Sequence, residues 1–116
     1  MAWPYISRKK GQKYGNTKVI ENGIKFDSKK EAKRYYDLTY MQKAGIISGL
    51  ELQKKYEFII NGHKVCSYVA DFVYTNLKTG EIIVEDVKSE VTRKNPVYRI
   101  KCKLMKAIYG ISIKEV

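Results

Sequence analysis

The chain has 116 residues, of which 23 are Lys or Arg and 12 are Asp or Glu, for a formal net charge of +11, and 44% are apolar. That is one domain with enough apolar side chain for a core, which excludes wholesale disorder, and the charge points to a polyanionic partner, nucleic acid first. No apolar run approaches the roughly 18 residues that span a bilayer, no signal-peptide core precedes the domain, and two cysteines with one histidine assemble neither a zinc site nor a Cys/His catalytic pair, so a cytoplasmic protein without disulfides is expected.

Residues 1–17 carry Arg8, Lys9, Lys10 and Lys13 with no acid and no apolar period, which reads as a mobile basic arm before a single domain over 18–116. Lys18 to Phe26 is a hairpin candidate around Asn22-Gly23. Asp27-Ser28-Lys29-Lys30-Glu31 opens a helix, with Ser28 as N-cap and Glu31 placed to complete a capping box. The helix should run to about Ala44 and end at Gly45. Its Tyr35, Tyr36 and Tyr40 should divide between core and rim.

From Leu50 the apolar period becomes two, through Tyr56, Phe58 and Ile60 to an Asn61-Gly62 turn. Val65 to Thr75 and Glu81 to Lys88, separated by a loop containing Gly80, complete three antiparallel strands. After Pro96, the spacing of Val97, Ile100, Leu104 and Ala107/Ile108 predicts a helix with that stripe toward the core, closed by Gly110. Ile111 to Val116 is a final strand. The fold class is therefore α/β, with a mixed sheet in the order helix, three antiparallel strands, helix, strand, after a short hairpin. Cys66 and Cys102 are expected as buried thiols, and His63 as an exposed turn residue.

Three acid-x-Lys patterns occur, Asp27 to Lys29, Glu31 to Lys33 and Asp86 to Lys88, where chance supplies about two. Only the third ends an apolar strand, with Ile82, Val84, Asp86 and Lys88 in phase. Charges there are costly to desolvate unless paired or metal-bound. A structural salt bridge or an ordinary exposed strand end is the plainer explanation. Asp71 lies in phase with Val69 and Val73 on the preceding strand. It shares a face with Asp86 if the loop has an even residue count, and with Glu85 if odd. Two converging carboxylates suit Mg²⁺ or Mn²⁺.

The element order, with an acid at Asp71 and Asp86-Val87-Lys88 on the next strand, resembles the PD-(D/E)XK nuclease superfamily, whose fold is restriction-endonuclease-like. The segments Phe26-Asp27-Ser28-Lys29-Lys30-Glu31-Ala32, Tyr68-Val69-Ala70-Asp71-Phe72 and Val84-Glu85-Asp86-Val87-Lys88 resemble a family of small phage and prophage proteins, similar in turn to heteromeric-transposase endonuclease subunits and archaeal Holliday junction resolvases. Ala70 stands where the superfamily's name has proline. The resemblance implies that Asp71 and Asp86 ligate Mg²⁺, with Mn²⁺ as a substitute and the Val87 carbonyl as a further ligand, and that Lys88 stabilises charge at the scissile phosphate. It makes Glu31 a catalytic acid completing the metal site, against the plainer role of a helix cap.

Lys101 falls on the apolar stripe of the second helix, either snorkelling to the rim or meeting a phosphate. Arg99 and Lys103, with Arg8, Lys9 and Lys10 of the arm, are candidate DNA contacts. The implied activity is a Mg²⁺-dependent endonuclease acting, as a homodimer, on branched DNA such as Holliday junctions during phage recombination, in the host cytoplasm. The competing expectation is a non-catalytic basic DNA-binding or architectural protein.

Overall fold

A computed structural model describes residues 19–21 and 23–116. The arm, with Arg8, Lys9 and Lys10, and the turn residue Asn22 lie outside the described residues. A small hairpin, β1 (Val19–Glu21) and β2 (Ile24–Phe26), precedes helix α1 (Lys29–Lys43). A four-stranded mixed sheet follows, built from β3 (Ile47–Ile60), β4 (His63–Asn76), β5 (Ile82–Asp86) and β6 (Lys114–Glu115) in that spatial order. Strands β3 to β5 are antiparallel, and β6 returns parallel to β5. Between β5 and β6 run a short helix α2 (Glu90–Arg93), helix α3 (Pro96–Leu104) and a π-helical turn, Met105–Tyr109. The expected order of helix, three strands, helix, strand is present, with α2 as an addition.

Local chemistry sets the boundaries. Ser28 caps α1 by accepting the Glu31 N–H, and Gly45 takes the left-handed conformation just beyond its C-terminus (φ 78°). Asn61 (φ 52°) and Gly62 (φ 78°) turn the long β3–β4 hairpin, with Ile60 opposite His63. Asn95 caps α3 through the Val97 and Tyr98 N–H groups, with Pro96 in its first turn.

Two apolar clusters flank the sheet. Phe26, Ala32, Leu38, Ile47, Phe72 and Tyr74 join α1 and the first hairpin to one face. Tyr56, Phe58, Tyr68, Ala70, Val73, Val84, Tyr98 and Met105 join α3 and the π turn to the other. On β5 neighbours alternate between the faces, Val84 toward α3 and Glu85 toward α1. On β4 the alternation changes phase. Phe72 and Tyr74 face α1 while Tyr68 and Ala70, of the same parity, face α3. The change falls at Asp71, where the β3 ladder passes from Leu52 opposite Phe72 to Lys54 opposite Ala70. Between those pairs Gln53 has a φ of 54°, a conformation costing a side-chain-bearing residue about 1–2 kcal/mol.

Three expectations need correction. Of the apolar stripe expected on α3 only Leu104 packs against the core, since Val97 is 61% and Ile100 57% exposed. Tyr98, Cys102 and Met105 pack inward beside it, and Ile108, in the π-helical turn, is exposed. An aromatic ring with a hydroxyl anchored on Glu115 (2.7 Å) outcompetes Val97 for the interior. Val69 and Ile82, read as inward, are exposed, Val69 because of the phase change on β4. Cys66 and Cys102 are free and only partly buried. The α1 tyrosines divide as expected, Tyr35 stacking at 5.1 Å on the buried Phe26 and Tyr36 and Tyr40 lying exposed.

Glu85 is fully buried and answered by a bidentate Arg34, Nε to Oε1 at 2.8 Å and Nη2 to Oε2 at 2.6 Å, and by the Tyr74 hydroxyl. Removing one member of such a pair strands the other charge. Arg34→Ala should lower the unfolding free energy by about 3–5 kcal/mol. Glu51→Ala, which breaks only an exposed pair with Lys54, should cost no more than about 1 kcal/mol in the same denaturant titration.

Candidate active site

The residue after Glu85 meets the opposite environment. Asp86 is also buried (1% exposed), on the α3 side, and its Oδ2 accepts the Tyr68 hydroxyl at 2.6 Å. The register Phe72 to Glu85 puts Asp71 across from Asp86, with six residues, an even number, between Thr75 and Ile82. The Asp71 and Asp86 side chains lie close enough for each charge to act on the other. Asp71 is gripped at both oxygens, Gln53 Nε2 donating to Oδ1 at 3.2 Å and the Val87 N–H to Oδ2 at 2.9 Å.

Beyond β5 the backbone stays pinned. The Val116 N–H donates to the Asp86 carbonyl (3.0 Å) and the Lys88 N–H to the Val116 carbonyl (3.3 Å). Asp86-Val87-Lys88 is therefore held between Asp71 on one side and the C-terminal strand on the other. Lys88 Nζ lies 3.5 Å from Asp86 Oδ2 and 4.7 Å from the centre of the Tyr98 ring, a cation–π contact.

Glu31 joins from α1. It is buried (5% exposed), and its backbone N–H donates to Ser28 Oγ, one half of the expected capping box. It interacts electrostatically with Asp71, Asp86 and Lys88. Burial first, then the neighbouring Asp86 and Glu31, pushes Asp71 up to about 9, the Val87 N–H working against them. Burial, then Asp27, pushes Glu31 up to about 7. Burial and Asp86 also raise the Tyr68 hydroxyl, keeping it a hydrogen-bond donor.

Of the residues singled out in the sequence, Asp71, Asp86, Lys88 and Glu31 are brought together. Val87 contacts Asp71 through its N–H. Lys101 is half-buried and lines, with Lys88, Ser67, Tyr68, Thr92, Asn95 and Tyr98, a cleft of about 460 Å³. Arg99 and Lys103 are exposed on α3, away from that lining. Tyr68 and Tyr98 were not legible as site residues. Strict alternation puts Tyr68 on the face opposite Asp71, and only the phase change on β4 unites them. Among the described residues no three His, Cys, Asp or Glu side chains form a ready-made metal cage. Mg²⁺ needs none, binding through one or two carboxylates with water and substrate phosphate completing its shell. Asp71 and Asp86, opposite each other across the ladder, would offer those two, so the donor set fits the ion.

A match to the family of proteins of unknown function designated DUF1064 covers residues 11–114. The chain belongs to that family. No curated protein and no solved structure matches it. No helix among the described residues is long and apolar enough to cross a membrane.

Asp71 and Glu31 hold protons more tightly in the fold than in the unfolded chain. Between the ordinary carboxylate range and the raised values, the folded state binds more protons, so without divalent cations stability should fall as pH rises from about 4 to 9. Asp71→Asn should flatten this slope and raise the melting temperature in EDTA at pH 7.5. A lower melting temperature would show that Asp71's hydrogen bonds outweigh the crowding of charge.

Proposed function

We propose that this protein is a Mg²⁺-dependent DNA endonuclease of the PD-(D/E)XK kind, with Mn²⁺ able to substitute. The observation that carries the reading is the meeting of Asp71, Asp86 and Lys88, with Glu31 in electrostatic contact, Lys88 also lining a cleft with Lys101. A protein that only binds DNA gains nothing from acids buried beside its cations, where each opposes the phosphate and costs desolvation. The net charge of +11 supports a polyanionic substrate.

Asp71 and Asp86 would hold the ion, with Glu31 adding negative charge behind them. Bound there, Mg²⁺ would lower the pKa of a coordinated water and neutralise a phosphate oxygen. The chain's own residues supply the rest. Gln53, Val87 N–H and Tyr68 fix the two carboxylates. Lys88, steadied over Tyr98, offers its ammonium to the phosphate oxygen on which charge develops. Lys101, lining the same cleft, holds a neighbouring phosphate. Thr92 and Asn95 add uncharged donors along the lining.

The finer reading is branched DNA such as a Holliday junction arising in phage recombination. A domain this small reads backbone geometry more readily than base edges, and two symmetric nicks call for a homodimer. In that setting it works in the host cytoplasm.

Labelled linear, flapped and four-way DNA incubated with Mg²⁺, Mn²⁺ or EDTA tests this. Wild type should nick the four-way substrate in Mg²⁺ and not in EDTA. Asp71→Ala and Asp86→Ala should be inert yet bind DNA as well or better, and Lys88→Ala should lose roughly 10²- to 10³-fold in rate with little loss of affinity. Wild type and Asp86→Ala equally inert and equally tight would establish the non-catalytic DNA binder instead. Removing residues 1–14 should reduce the slope of log affinity against log salt by about 0.9 for each phosphate that the arm neutralises. An unchanged slope would show that Arg8, Lys9 and Lys10 do not touch DNA.

A further inference from the structure

Gln53 and Asn61 are the two non-glycine residues with positive φ among the described residues. Asn61 makes a hairpin turn, which asparagine tolerates. Gln53 lies inside β3, where no turn calls for the left-handed conformation and where glycine would adopt it without strain. The side chain that stands there in place of glycine has a specific use. Its Nε2 donates to Asp71 Oδ1, while the Val87 N–H donates to Oδ2. One donor comes from β3 and the other from the residue just past the end of β5, so the carboxylate is clamped from both sides. Each oxygen keeps lone-pair capacity for a further partner. Gln53 lies between the β3 residues opposite Ala70 and Phe72, the point at which β4 changes phase.

We propose that Gln53 is the positioning residue of Asp71: its left-handed backbone aims the amide across the ladder so that Asp71 is held in the orientation that receives the metal ion. This rests on Asp71 being a metal ligand, as in the proposed function. The amide does not itself touch the ion or the phosphate. It acts through Asp71, as partners behind metal ligands commonly do.

The test uses the full-length chain carrying Gln53→Gly, with Gln53→Met as a second variant that keeps the side chain's length and removes its donor. Glycine should leave the melting temperature in EDTA unchanged or higher, because it accepts this φ. Both variants should cleave four-way DNA about 10- to 100-fold more slowly, need more Mg²⁺ for half-maximal rate, and bind Mn²⁺ more weakly by calorimetry, while DNA affinity in EDTA stays at the wild-type value. If Gln53 only shapes the strand, glycine serves as well, and wild-type rate and Mg²⁺ dependence in Gln53→Gly would overturn the proposal alone. A wild-type chain that neither takes up Mn²⁺ nor cleaves would overturn the metal reading, and this inference with it.

Discussion

Arg34 and Glu85 form the joint between α1 and the sheet, and the site follows from where that joint sits. A fully buried carboxylate on β5 has to be answered by a charge, and the guanidinium that answers it binds with both nitrogens, which fixes angle as well as distance. Glu31 lies one helical turn before Arg34, and Asp86 lies one residue after Glu85. Locking Arg34 onto Glu85 therefore brings the first turn of α1 to the end of β5, and Glu31 into the field of Asp86 and Lys88. The adjacent acids of β5 divide the labour. Glu85 is neutralised and holds the molecule together. Asp86 is left beside Asp71, with a tyrosine hydroxyl and one lysine as its partners.

That contrast is what the proposed catalytic reading rests on. Evolution of a stable fold alone would treat both acids alike, pairing each with a buried cation. Instead, three acids crowd together with Lys88, whose ammonium also rests on the Tyr98 ring at the edge of a cleft. Such a cluster costs stability unless a cation occupies it, and the cost is sensible where a cation and a phosphate are to be bound.

Much of this was legible in the residues. Ser28, Gly45, Asn61-Gly62 and Gly110 mark boundaries through local backbone chemistry, which acts over a few residues and leaves a clear imprint. The even loop that puts Asp71 opposite Asp86 was also within reach, because strand parity is a counting argument. Parity failed where the backbone broke its own period. The faces of β4 change phase at Asp71, opposite a left-handed Gln53, and nothing in Leu52-Gln53-Lys54 announces it. Tyr68 was hidden for the same reason, and Val69 was misplaced by it. On α3, Val97 and Ile100 outweighed Tyr98 in the apolar count, yet a large ring with an anchored hydroxyl took the interior. A helical stripe records hydrophobicity and is silent about which neighbour has room.

The central claim is that Asp71 and Asp86 form a cation site. It is tested most directly by crystals of the protein soaked in Mn²⁺, with anomalous scattering recorded for wild type and Asp71→Ala. The account predicts one strong peak at roughly 2.0–2.3 Å from a carboxylate oxygen of each aspartate, absent in the variant. No peak between them at saturating Mn²⁺, with Lys88 still 3.5 Å from Asp86, would contradict it.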